Sequence, residues 1–303
     1  MSSVSFAELI PHLKSLSLAF EQKSHAVSSG NHPGVRKGFE DERLEFRNYV
    51  AGDDLRYLDW RLMAKTDKLY IREGYQKARQ SVCLHFDDSV SHQFLEEKFE
   101  TAWLCFLSLA YLFRKKQDKV FLSLSNISEK LNLGHEPILR VKNTSQLIEV
   151  NKRFSQVKSK FSFKKKNKSV EKNWQRELEQ WRQIVEVMPV HGKIIWITDL
   201  YFPLENFKKI LQFSSQKKLQ LSVFHFIKNK ENDPDIKTKG FLNRVIDVET
   251  GDWISANRFN DYSKIWEEAV KSRINLIMAR KGRYVRANAE DGPLKVLAQL
   301  KEL

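Results

Sequence analysis

The 303-residue chain predicts an α/β protein, with a mostly parallel central sheet between two layers of helices. Three observations carry that expectation. Short β-branched and aromatic runs alternate with long helical patterns from about residue 80 onward, which implies parallel strands joined by helical crossovers. The strongest run, "KIIWITD" (193–199), ends abruptly in a polar residue, as a buried strand does at the edge of its sheet. Hydrophobic content of 41% with 30% charged residues is that of a folded chain able to bury a large core, not of a disordered one.

In chain order, residues 5–25 place Phe6, Leu9, Ile10, Leu13, Leu16 and Phe20 at helical spacing, predicting an amphipathic helix. "SSGNHPGVRKG" (28–38) is a loop by composition, and a charged, aromatic segment follows over 39–75. Then come a strand at "SVCLHF" (81–86), a helix over 93–115 and a strand at 119–125. A short helix is expected at 145–154, a long one at 170–188, and strands at 193–199 and 219–227. "RVIDVETGDWIS" (244–255) predicts a hairpin near the sheet edge, and 262–280 a further helix. The division expected is an N-terminal helix and clasp segment (1–78), then the sheet domain (79–303) with a Lys-rich loop at about 155–172.

Composition also narrows the function. There are 52 Lys and Arg against 38 Asp and Glu, a balance of +14 that favours polyanions or an acidic protein partner. The stretch 158–172 holds seven Lys and one Glu, so it supplies +6 of that charge. Cys83 and Cys105 both lie in apolar runs and read as buried hydrophobes in a reducing compartment. The start shows no signal-peptide pattern, and the most apolar stretch, "AWLCFLSLAYLF" (102–113), is too short to span a bilayer. The expected location is the cytoplasm. No Gly-x-x-x-x-Gly-Lys phosphate loop and no His-Glu-x-x-His motif is present.

The chemistry centres on "FDDSVSH" (86–92). Asp87, Ser89 and Ser91 follow a predicted strand directly, and ligands of open α/β sheets bind at the carboxyl ends of strands. One carboxylate and two hydroxyls suit Mg²⁺, or Mn²⁺, which take hard oxygen ligands. A turn, with Ser91 capping the next helix, would use the same residues. Asp199, ending "KIIWITD", should reach the same edge, unless it only caps the following turn. Thr144 in "VKNTSQLIEV" is the best-placed threonine for a third loop, with an N-cap as its other reading. His85, inside a strand, is expected to be a satisfied core residue.

Asp-x-Ser-x-Ser, a later loop threonine and a strand-terminal Asp resemble the metal-ion-dependent adhesion site of von Willebrand factor A domains. The segment before it, "EFRNYVAGDDLRYLDWRLMAKTDKLYIREGYQKARQSVCLHFDDSVS", resembles the signature of domain-of-unknown-function family 58. Its matching residues are Phe46, Arg47, Tyr49, Gly52, Asp53, Asp54, Arg56, Asp59 and Trp60. "VIDVETGD" and "GRYVRANAEDGPLKVL" also resemble the family's C-terminal part. The resemblance implies a three-layer, Rossmann-like von Willebrand A domain. It implies direct metal ligation by Ser89, Ser91 and Thr144, with Asp87 and Asp199 acting partly through water and a partner's carboxylate in the open position. It also implies a non-enzymatic adaptor that works with a MoxR-type AAA+ ATPase on a client protein.

The acids and arginines of "GDDLRYLDWR" read as a salt-bridged structural clasp on the sheet, with Trp60 as its buried anchor. A metal-dependent phosphodiesterase built on Asp53, Asp54 and Asp59 is a rival reading. Another is a nucleic-acid-binding protein using Lys164, Lys165, Lys166 and Lys168 with Phe161 and Phe163.

Overall fold

The computed structural model describes residues 5–15, 36–37, 44–76, 79–93, 95–124, 131, 138–157, 170–228, 244–246, 253–255 and 262–299. The chain divides into two units. The described residues up to 15 group with those from 80 onward, and those within 22–79 form the second unit.

Helix α1 (6–15) opens with a capping box. Ser5 Oγ accepts from Glu8 N at 3.3 Å, and Glu8 Oε2 accepts from Ser5 N at 3.1 Å. Its Phe6, Leu9 and Leu13 are buried in the core of the sheet domain. The helix therefore belongs with that domain and not with the charged segment, because its three apolar positions lie on one stripe that needs a core to cover it.

The smaller unit is a three-stranded antiparallel sheet with β3 (Tyr70–Gln76) between β1 (Arg36–Lys37) and β2 (Leu44–Asn48), together with helix α2 (Trp60–Thr66). The signature residues build its local structure. Arg47 grips Asp53 with two bonds of 2.6 Å, and Asp53 also accepts from Val50 N at 2.8 Å. Gly52, at φ +106°, makes the tight turn between them, where a side chain would be strained. The backbone N–H of Tyr49 pairs with Leu69 O. Asp54 caps the turn that holds Arg56 and bonds its guanidinium, while Asp59 caps α2 through Arg61 N and Leu62 N. Trp60 is not the buried anchor expected. It is 62% exposed at the first position of α2, and Leu58 and Ile71 are buried instead, joined by a β-bridge.

In the larger unit, β4 (Ser81–Phe86) leads through a short helical turn, α3 (Val90–Gln93), into α4 (Glu96–Lys115) and β5 (Lys119–Leu124). There follow β6 (Ile138–Val141), α5 (Thr144–Val157), α6 (Val170–Val187) and β7 (Lys193–Thr198). Next are α7 (Leu204–Gln216), β8 (Gln220–Ile227), the hairpin strands β9 (Arg244–Ile246) and β10 (Trp253–Ser255), and α8 (Tyr262–Ala279). The last elements are β11 (Arg283–Asn288) and α9 (Gly292–Gln299). The hairpin forms its own two-stranded ladder, outside the main sheet.

The main sheet runs β11-β8-β7-β4-β5-β6 and is parallel except for β6, which is antiparallel to β5. Its period-2 pattern divides the core in two. Val82, Leu84, Phe86, Ile195 and Ile197 face one cluster with α1, α4, α5 and α9. Cys83, Ile194 and Trp196 face the other with α6, α7 and α8. Both cysteines are free and fully buried, and burial pushes their thiols up. Among the described residues, no helix is long and apolar enough to cross a membrane.

Candidate functional site at the carboxyl edge of the sheet

From β4 the chain goes to β5 on one side and returns later as β7 on the other. The order therefore reverses between β4 and β7, where α/β sheets open a crevice at their carboxyl edge. Phe86 pairs with Ile197 in register, so Asp87 and Asp199 emerge side by side there. Both are almost fully buried, at 2% and 1% exposure.

Asp87 is held by three bonds. Its N–H donates to Ile197 O at 2.9 Å, its Oδ1 accepts from Ser89 N at 3.0 Å, and its Oδ2 accepts from Thr198 Oγ at 2.6 Å. Ser89 Oγ and Ser91 Oγ lie 3.1 Å apart. Ser91 does not cap the long helix, whose N-cap is Leu95 with no side-chain bond. The Ser89 N–H closes an Asx turn on Asp87, as the turn reading of this loop expects. His92, fully buried, donates from Nδ1 to Asp87 O at 2.5 Å and packs against Phe86 and Phe99.

Asp199 is fixed differently. Its Oδ1 accepts from Tyr201 N at 3.2 Å, and its Oδ2 lies 3.2 Å from Lys98 Nζ. Lys98 is a fully buried lysine in the first turns of α4. Between these contacts Leu200 takes φ 60°, a left-handed conformation costing a leucine on the order of 1 kcal/mol. Burial raises the Asp87 carboxyl, and the neighbouring Asp199 charge adds to the rise. Burial also opposes ionisation of Asp199, but Lys98 and His92 outweigh it and hold that carboxyl below its ordinary value.

Thr144 is not brought to this site. β6 runs antiparallel, with Val141 opposite Val120 at the edge where the parallel strands begin. Thr144 follows on that far side, beyond a strand step of about 13 Å at roughly 3.3 Å per residue. It is not the cap of α5 either, since Asn143 Oδ1 accepts from Gln146 N at 3.0 Å and Gln146 Oε1 accepts from Lys142 N at 2.6 Å. Sequence reasoning missed two contributors, Thr198 and Lys98. Thr198 is the last residue of β7, and its hydroxyl donates to Asp87.

The remaining donors fit a hard divalent cation. Two hydroxyls 3.1 Å apart match the edge of an octahedron with bonds of about 2.1 Å, roughly 3 Å. Each Asp87 carboxylate oxygen accepts one hydrogen bond, from Ser89 N or Thr198 Oγ, and has a further lone pair. Among the described residues, no three His, Cys, Asp or Glu side chains gather as a metal cage. A metal here would have to lean on hydroxyls and water, which favours Mg²⁺ or Mn²⁺ over zinc.

Behind β4, His85 pairs with Glu177 at 2.6 Å and with Ser123 at 3.1 Å, and Gln180 donates to Ser123 at 2.8 Å. Both ring nitrogens of this buried histidine are satisfied, as expected of a core residue. Lys164, Lys165, Lys166 and Lys168, with Phe161 and Phe163, lie outside the described residues, as does all of 158–169. The acids of the smaller unit, Asp53, Asp54 and Asp59, have separate partners. Each one serves a turn or a helix cap.

Fold and site together define an α/β protein with a mostly parallel six-stranded sheet, helices on both faces, and an acid-hydroxyl cluster at the switch of strand order. Residues 45–136 match the family described as "Protein of unknown function DUF58", so the family signature is present over that segment, which includes Asp87, Ser89 and Ser91. Uncharacterized proteins of Mycobacterium tuberculosis and Mycobacterium bovis are 33% identical over 87 residues, covering 29% of this chain and 27% of theirs. Among solved structures, BatB from Bacteroides thetaiotaomicron aligns over 73% of this chain and 96% of its own, with 18% identity and a TM-score of 0.39. An aerotolerance-related membrane protein from Bacteroides fragilis, with multiple mutations to serines, gives 15% identity and the same TM-score of 0.39, over 73% of this chain and 98% of its own.

Proposed function

We propose that this protein is a non-enzymatic adaptor of the von Willebrand A type. Asp87, Ser89 and Ser91 would hold a Mg²⁺ or Mn²⁺ ion, with Asp199 acting through water. The supporting observation is the pair of serine hydroxyls 3.1 Å apart beside the buried Asp87, at the point where strand order reverses. Bound there, the ion would supply a Lewis-acidic position that accepts a carboxylate from another protein. The chain's own residues orient that position: Thr198 and the Ser89 N–H fix the Asp87 carboxylate, and His92 ties its backbone to the core.

The partner proposed is a MoxR-type AAA+ ATPase, acting with this protein in assembly or remodelling of a client. That pairing comes from the resemblance to family 58. The test is retention of the MoxR-type ATPase of the same genome on immobilised protein, with Mg²⁺ or EDTA, for the wild type and Asp87→Ala. The expected result is retention in Mg²⁺ that drops at least tenfold in EDTA or in the variant. Equal retention under all four conditions contradicts the proposal.

A further inference from the structure

A lysine on the apolar stripe of a core helix is an expensive placement. Lys98 shares that stripe of α4 with Ala102, Cys105 and Leu109, all buried, and its own exposure is 0%. An ammonium so deep loses its hydration, and only a countercharge with good geometry offsets the loss. Asp199 supplies one at 3.2 Å, itself 1% exposed. Asp87 is the second carboxylate of the cluster, and two neighbouring buried carboxylates do not both ionise readily without a positive charge beside them. Phe99, next along the helix, packs on Phe86 with ring centroids 5.3 Å apart, which anchors the turn that carries Lys98.

We propose that Lys98 is the resident cation of this site: it neutralises Asp199 in the metal-free protein and limits the affinity for a divalent ion. The inference rests on the metal reading above and adds its regulation. A fixed positive charge in the cluster repels an incoming divalent ion and cancels part of the negative field that would attract it. The site therefore keeps its shape without metal and takes up the ion weakly and reversibly. Removing the Lys98 charge leaves Asp199 in need of a cation and converts the site into a tighter binder.

The experiment is a Mn²⁺ titration of wild type, Lys98→Met and Lys98→Gln, following free Mn²⁺ by electron paramagnetic resonance and melting each protein with and without the ion. Lys98→Gln keeps an N–H donor for Asp199 while removing the charge, so it answers the question if the methionine variant fails to fold. The expected result is a Kd at least tenfold lower in the neutral variants, with a larger Mn²⁺-induced rise in Tm than in wild type. Binding seen in the variants alone also supports the inference. Equal Kd in all three proteins overturns it alone, because a purely structural ion pair would change stability without changing Mn²⁺ affinity. Absence of binding in all three overturns the metal reading and this inference together.

Discussion

Burial opposes charge at Asp87, Asp199 and His225 on this sheet edge, and His225 shows it most plainly. Its ring, bonded to Tyr284 at 2.8 Å, is pushed by burial from 6.5 down to about 3, so it is neutral in the folded protein. The unfolded chain takes up a proton below about pH 6.5 that the folded chain refuses. This contribution to stability is therefore complete above that pH and is lost as pH falls toward 3. We predict that His225→Phe flattens the acid limb of stability by about 1.4 kcal/mol per pH unit across that window. Urea unfolding in EDTA at several pH values checks it, and parallel curves for the two proteins would contradict it. Asp87 and Asp199 were legible from sequence because an acid ending a hydrophobic strand has a fixed place in a parallel sheet. Lys98 left a quieter signal, a charged residue in register with Ala102, Cys105 and Leu109. A long apolar helix reads as core throughout, and a single lysine at its start is easily assigned to the solvent face.

At the scale of elements, one short strand decided what could be read. β6 has four residues, "ILRV", too few to show a period, and it runs against its neighbour. Overlooking that reversal placed Thr144 at the acidic edge, whereas the antiparallel strand delivers it to the opposite one. The long elements were legible because helix and strand periods persist over enough residues, as in α4, α6 and β8. The N-terminal helix was found but assigned to the wrong unit, since periodicity reveals an apolar stripe without saying what covers it. Its place in the core makes a prediction. Leu9, 1% exposed, should cost about 2–5 kcal/mol on replacement by alanine. A fall in the denaturation midpoint with unchanged m-value checks this, and a change below about 0.5 kcal/mol, typical of surface sites, would contradict it.

For the whole molecule, the family signature and the sheet edge do separate work. Arg47, Gly52, Asp53, Asp54 and Asp59 use their interactions on turns and caps inside the smaller unit, so that run specifies a fold more than a chemistry. The cluster at the carboxyl edge of the larger unit is where buried charge, paired hydroxyls and a strained leucine converge. Sequence alone located it to within two strand ends, because a doubly wound sheet has one reversal of order and ligands gather there. It could not supply the third loop, since no local pattern says which edge a connection reaches. Asp87 and the two serines form the divalent-ion site proposed for this protein. Calorimetric titration of Mg²⁺ and Mn²⁺ into wild type and Asp87→Ala tests it most directly. The expected result is saturable heats from the wild type that vanish in the variant. Equal heats from both proteins, or none from either, would contradict it.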